Sequence, residues 1–222
     1  MSQKAEVILA LDVDSFAQAK YLIGKLYPTI KIYKVGAQLF TAYGPKVVEY
    51  IRKKGAEAFL DLKYFDIPNT VSHAVRQAVR LKVKMLTLHI LGDEPMLKAA
   101  VEAADSESRR LKVKRPLLIG VTVLTSKEAV SSDVLTLAKI GIDCGLDGVV
   151  CSAREARLLR REIKKKFIIV TPGIRPAGAA SQDQKRTVAP KEAIESGSNY
   201  LVIGRPILEA KNPREAVAGI WG

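Results

Sequence analysis

Short apolar runs alternate with amphipathic stretches along the whole chain, and this alternation predicts strands and helices in strict succession. Glu6–Val13 is a first run rich in Val, Ile and Leu, and Ser15–Leu26 has helical periodicity with Ser15 as a helix cap or first-turn residue. Lys31–Val35 is a second strand, and a helix over about Ala42–Lys54 ends at Gly55. Glu57–Leu62 is the third strand, with a helix from about Val71 to Val79. Lys84–Ile90 and Asp93–Ala104 form the fourth pair, Pro116–Val123 and Ser132–Ile142 the fifth, Gly148–Cys151 and Arg154–Lys165 the sixth. Phe167–Thr171 is the seventh strand, followed by a long loop to about Thr187 and a helix over Pro190–Ser196. Tyr200–Ile203 is the eighth, and Pro206–Ile220 closes the chain.

Eight strand–helix units with no break in composition predict an α/β protein, a single (β/α)8 TIM barrel over residues 1–222. An open doubly wound sheet is the competing architecture. No G-x-G-x-x-G follows the first strand, which weakens a dinucleotide-binding version of it. The chain has 222 residues and is 48% hydrophobic, enough for one substantial core. No apolar run nears the ~20 residues that cross a bilayer, and no targeting segment precedes the first strand, so a cytoplasmic protein without membrane contact is expected. Cys144 and Cys151 are too few and too far apart for a disulfide framework or a zinc cluster, and small packed residues are expected.

The formal charge of +13 changes the picture more. It could mark a nucleic-acid surface, an anionic substrate or a lysine-rich solvated exterior. Its clusters, among them Arg52-Lys53-Lys54, Arg109-Arg110, Arg160-Arg161 and Lys164-Lys165-Lys166, fall mostly at predicted helix ends, where cations complement the helix dipole. None is interleaved with aromatics as a base-stacking surface would be, so no nucleic-acid partner is expected.

In a barrel, chemistry gathers at the carboxyl ends of the strands. There the chain places Asp12 and Asp14 after strand one, Lys34 on strand two, Asp61 and Lys63 on strand three and His89 on strand four. Alternate residues of an extended strand share a face, so Asp61 and Lys63 are expected to point together, whereas Asp66 lies past the strand. An ordinary strand-end ion pair would look the same at this level. Barrel phosphates commonly bind between the seventh and eighth loops, against a helix start. Pro172–Arg175 and Gly204-Arg205 stand there, Gly204 suited to a close backbone approach and Arg205 to a forked contact. The loop from Arg175 to Thr187, rich in Gly, Ala, Ser and Gln, has the length of a lid.

The string Asp61-Leu62-Lys63-Tyr64-Phe65-Asp66-Ile67-Pro68-Asn69-Thr70 resembles the D-x-K-x-x-D-I-P-N-T signature of the orotidine 5′-phosphate decarboxylase family. Thr171-Pro172-Gly173-Ile174-Arg175-Pro176 and Val202-Ile203-Gly204-Arg205-Pro206-Ile207 resemble its phosphate-end motifs, so the resemblance spans nearly the whole chain. It implies that Asp12 holds the ribose and that Lys34 stands beside the reacting carboxylates. Thr70 would reach a ribose hydroxyl together with Asp66, both supplied across a homodimer interface. Thr125 would read the pyrimidine edge, and Gln184 would bridge phosphate and pyrimidine from the closed lid. Phe65 departs from the His that many bacterial relatives carry, and is expected to pack near the loop. His89 is expected either to contact the site or to support it from behind, and His73 to be structural.

The implied reaction removes carbon dioxide from carbon 6 of orotidine 5′-monophosphate, leaving a poorly delocalised carbanion. No cofactor motif is present, so no cofactor and no metal are expected, and the protein itself must supply orientation and charge. Lys63 would stabilise and then protonate carbon 6 within a Lys34–Asp61–Lys63–Asp66 row. The nearest competitor is a metal-dependent sugar-phosphate decarboxylase or aldolase of the same superfamily, which also keeps a D-x-K at strand three. Ile67-Pro68-Asn69-Thr70 and Gln184 favour the pyrimidine branch.

Overall fold

A computed structural model describes residues 5–123, 130–175 and 188–220. Its strands are β1 (Glu6–Ala10), β2 (Ile32–Gly36), β3 (Glu57–Tyr64), β4 (Met85–His89), β5 (Leu117–Val121), β6 (Gly148–Val150), β7 (Ile168–Thr171) and β8 (Tyr200–Ile203). All pair in parallel and in sequence order, and β8 closes onto β1 through Glu6–Tyr200 to Leu9–Ile203. The predicted TIM barrel is therefore the fold.

Closure divides the core in two. Ile8, Ile32, Phe59, Met85, Ile119, Val170 and Val202 fill the barrel interior, while a larger apolar shell lies between the strands and the helices. Strands buried on both faces explain why the sequence reads as continuous apolar runs and not as alternation.

The helices are α1 (Phe16–Leu26), α2 (Ala37–Tyr43), α3 (Pro45–Lys53), α4 (Pro68–Arg80), α5 (Asp93–Leu111), α6 (Ser131–Asp143), α7 (Ala153–Glu162), α8 (Pro190–Glu195), α9 (Arg205–Leu208) and α10 (Pro213–Ala218). Ser15 caps α1 through the Gln18 N–H, as its position predicts, and Ser152 and Glu155 form a reciprocal capping box on α7. The helix expected over Ala42–Lys54 starts at Pro45 as α3, and the preceding α2, which was not predicted, ends at Tyr43, because Gly44 at φ 58° breaks the turn and Pro45 restarts it. The closing helix is likewise split into α9 and α10, with Pro213 opening the second. Helix α4 begins at Pro68, earlier than periodicity suggests, since proline suits a first helical position. Helix α5 runs seven residues past Ala104, its polar end held by Glu107 between Arg80 and Arg110. Basic residues do occupy the last turns of α3, α5 and α7.

The amino end of the barrel is stapled. Arg160 donates to Phe167 O, Gly197 O and Asn199 Oδ1, and Arg115 joins Asp105 to Asp147. Both cysteines are free and buried, Cys151 completely, as small packing residues.

Candidate active site

Neighbouring strands bring four of the expected side chains together at the carboxyl rim. Ala10 pairs with Lys34 across β1–β2, and Gly36 pairs with Asp61 across β2–β3. Lys34 Nζ lies 3.1 Å from Asp12 Oδ1 and 3.4 Å from Asp61 Oδ2, and Lys63 Nζ donates to Asp61 Oδ1 at 2.9 Å. The chain thus orders its charges Asp12–Lys34–Asp61–Lys63. Space is tight at Gly36, where a Cβ would stand 3.3 Å from the Lys34 ammonium.

Burial and pairing compete at each charge. For Lys34, 9% exposed, burial pushes the ammonium pKa down, but Asp61 and Asp12 outweigh it and the net shift is upward. For Asp61, burial pushes the carboxyl up, but Lys34 and then Lys63 outweigh it and the net shift is downward. Both groups are charged near neutral pH.

Strand β3 does not reach Lys63 by regular alternation. Leu60 pairs with Leu86 and Tyr64 with Leu88, so Asp61, Leu62 and Lys63 stand opposite Thr87 alone. Lys63 takes a left-handed φ of 51°, disfavoured for a residue with a side chain. Asp61 and Lys63 do both face the cavity, as expected, but through a bulge that lengthens β3 beyond Leu62 to Tyr64. Thr87, 1% exposed, fills the irregularity: its Oγ1 accepts from the Lys63 N–H and donates to Asp61 Oδ1, each at 2.9 Å. Sequence reasoning missed Thr87. Its signal was a lone hydroxyl in the apolar run Met85-Leu86-Thr87-Leu88.

A cavity of about 530 Å³ opens above this row. Val121, Val123 and Val150 from the β5 and β6 side give it an apolar wall, and Phe59, Val170 and Val202 form its floor. At the far side Pro172, Gly173, Arg175, Gly204 and Arg205 line it from the ends of β7 and β8, where the phosphate motifs were expected. Gly173 takes a φ of 75°, which favours glycine, and Ile174 bridges Val188 across the base of the intervening loop. Arg175 is 8% exposed, and its Nε has no hydrogen-bond partner among the described residues. A buried guanidinium N–H without an acceptor suits an anion.

The other expected residues fare differently. Asp66 and Thr70 are exposed on the rim and do not line the cavity; the Asp66 carboxylate accepts from the Ile67 N–H at 2.7 Å and makes no ion pair with Lys63 within the chain. Thr125 and Gln184 lie outside the described residues. Asp14 accepts from Gln38 Nε2 at 2.7 Å, away from the row. His89 stands against the ring of Phe65, centroids 5.7 Å apart, with a buried Nδ1 that has no hydrogen-bond partner among the described residues. Burial and then Lys63 lower its pKa against the pull of Asp61, so it is neutral at pH 7. Phe65 does pack near the loop but remains 61% exposed, and His73 is exposed on α4.

A profile of the orotidine 5′-phosphate decarboxylase / HUMPS family matches residues 5–220. The chain belongs to that family. Within it, the chain is 47% identical over 219 residues to an orotidine 5′-phosphate decarboxylase of Vibrio cholerae, covering 94% of this chain and 93% of that protein. It is 45% identical to one of Geotalea daltonii, covering 98% and 95%. Among solved structures, the orotidine 5′-phosphate decarboxylase of Lactobacillus acidophilus superposes with a TM-score of 0.85 at 35% identity, covering 98% of each chain. In this decarboxylase-family chain the barrel rim carries the D-x-K pair, and the ends of β7 and β8 carry the arginines.

Proposed function

We propose that this chain decarboxylates orotidine 5′-monophosphate to UMP and carbon dioxide, the last step of de novo pyrimidine biosynthesis, without a cofactor. The observation that carries the proposal is the Lys34–Asp61–Lys63 row facing an apolar wall, with two arginines across the same cavity. A nucleotide has that shape: a flat ring for Val121, Val123 and Val150, a phosphate for Arg175 and Arg205, and a ribose between them near Asp12. Pro172 and Gly204 shape the phosphate end, and Thr125 and Gln184 would act on the pyrimidine and the closed lid.

In the reaction, the bond from carbon 6 to the carboxylate breaks and its electron pair stays on carbon 6. The Lys63 ammonium stabilises that pair and then donates a proton to it, and water restores the ammonium. Asp61 holds Lys63 charged and in place, and Lys34 keeps Asp61 ionised. Charge fixed before the carbanion forms lowers the barrier without reorganisation at the moment of reaction. Phosphate binding remote from carbon 6 would drive lid closure, so that distant binding energy serves the chemical step.

Asp66 and Thr70 complete the site from a second copy. Phe65, Ile67 and Leu91 are 61%, 65% and 60% exposed on the loops beside them, an apolar collar that a homodimer would cover. The metal-dependent sugar-phosphate alternative is less well supported, because the two carboxylates of the row, Asp12 and Asp61, are already engaged by Lys34. No helix among the described residues is long and apolar enough to cross a membrane, in keeping with a cytoplasmic enzyme. The direct test is loss of orotidine 5′-monophosphate absorbance in chelator-treated buffer. Turnover there supports the proposal, and turnover that appears only on adding magnesium would return the metal branch.

A further inference from the structure

We propose that Thr87 is a positioning residue whose hydroxyl sets the Asp61–Lys63 pair by clipping the bulge of β3. The inference rests on the decarboxylase reading for its kinetic test, but not for its geometry. Three residues of β3 stand opposite one of β4, so the Lys63 N–H loses the carbonyl it would meet in a regular ladder. The Thr87 hydroxyl takes the place of that carbonyl, accepting from Lys63 N at 2.9 Å. Its own proton goes to Asp61 Oδ1, also at 2.9 Å. That oxygen is the one bound by Lys63 Nζ.

One hydroxyl therefore touches the backbone of the lysine and the carboxylate that pairs with the same lysine's side chain. A hydroxyl can do this because it is at once a donor and an acceptor. The arrangement fixes the left-handed turn at Lys63 and the direction of its ammonium together. Without it, Lys63 could relax toward ordinary strand geometry, and a relaxed β3 would turn its side chain off the cavity. Thr87 itself lies beneath the rim and does not line the cavity, so it acts through Asp61 and Lys63 and not on the substrate.

The test compares Thr87→Val, which keeps the shape and removes the hydroxyl, with Thr87→Ser, which keeps the hydroxyl and removes the methyl. Thr87→Val is expected to lower kcat by about 10- to 100-fold, the size of a lost hydrogen bond to a charged group, with KM held within about threefold because the phosphate end is untouched. Asp61 loses a donor, so the acid limb of the kcat profile should move toward neutral pH. Thr87→Ser should restore most of the rate. Amide exchange at Lys63, followed by NMR, should quicken in Thr87→Val and not in Thr87→Ser, whether or not turnover is measured.

The proposal is overturned if Thr87→Val leaves kcat unchanged, if it raises KM alone, or if Thr87→Ser is as slow as Thr87→Val. Unchanged Lys63 exchange in Thr87→Val overturns it without reference to activity. A wild-type protein with no turnover would instead refute the decarboxylase reading and leave the exchange comparison to decide the clip. Should Thr87→Val not fold, the Thr87→Ser variant still decides: a large loss of kcat in it overturns the role of the hydroxyl, and a wild-type rate with unchanged Lys63 exchange supports it.

Discussion

Replacing Lys34 by methionine separates what the buried charge row does for stability from what it does for chemistry. Lys34 is 9% exposed and 3.4 Å from Asp61, whose side chain is 12% exposed. At an effective dielectric of about 20, an ion pair at that distance is worth about 5 kcal/mol. Burying the ammonium costs part of this, and methionine avoids that cost while filling similar space. Because Asp61 keeps Lys63, the expected net loss at neutral pH is about 2–4 kcal/mol. Asp12 adds little to the figure, since its side chain is 56% exposed and water screens it. The pH dependence follows from the directions of the shifts. Asp61 is held below its ordinary 3.8, so the stability it contributes is present above that value and is lost as pH falls through the folded-state pKa. Lys34 is held above its ordinary 10.5, so its contribution is complete below that value and is lost as pH rises through the folded-state pKa. The deficit of Lys34→Met should therefore be full between about pH 5 and 10 and narrow on either side. Urea unfolding at pH 3, 7 and 11 at fixed ionic strength measures it, with the midpoint at pH 7 expected to fall by about 1 M. A deficit below about 1 kcal/mol at pH 7 would refute the reasoning. So would a larger one that is equal at all three pH values.

Lys63→Ala should lower kcat by at least about 10⁴-fold while UMP still binds, as expected when the proton donor is removed; activity within tenfold of wild type would refute that role. Arg205→Ala should raise KM by about 10- to 100-fold and weaken competitive inhibition by inorganic phosphate, and an unchanged KM would count against the phosphate site. Mixing Asp66→Ala with Lys63→Ala chains should recover roughly a quarter of native activity, since half of the dimers are then mixed and each carries one intact site. Mixed dimers that form and remain inactive would reject shared sites.

Periodicity located every strand because each is a short apolar run bounded by polar loops, and Tyr200–Ile203 was placed to the residue. It failed where the chain breaks a helix without breaking the apolar pattern. Val47, Val48 and Ile51 continue the stripe that Leu39 begins, so only the left-handed Gly44 and Pro45 announce two helices. Asp61, Lys63 and Lys34 were legible as candidate site residues because strand ends in a barrel face one mouth. The bulge was not, since nothing in Asp61-Leu62-Lys63 marks a change of register against β4. Asp66 shows another limit: its place in the motif is plain, but its exposed carboxylate meets no ammonium among the described residues. If Asp66 acts in a second copy, as proposed, the packing of a single chain would carry no trace of it.

The two ends of the cavity differ in net charge, and this separates affinity from chemistry. Along β1–β3 the ammoniums of Lys34 and Lys63 are matched by the carboxylates of Asp12 and Asp61, so that side is balanced and tightly paired. At the β7 and β8 ends, Arg175, Arg205 and Glu209 line the cavity, two cations to one carboxylate among the described lining residues there. An anionic ligand is therefore drawn to the end where no bond changes. On the proposed mechanism, a substrate carboxylate at the balanced end would gain little as it nears Asp61, whereas a carbanion beside Lys63 would gain a neighbour already oriented toward it. Attraction shared by substrate and transition state sets KM, and attraction arising only in the transition state sets kcat. The division of charge between the two ends of the cavity is thus why Arg205 and Lys63 are expected to fail in different kinetic constants.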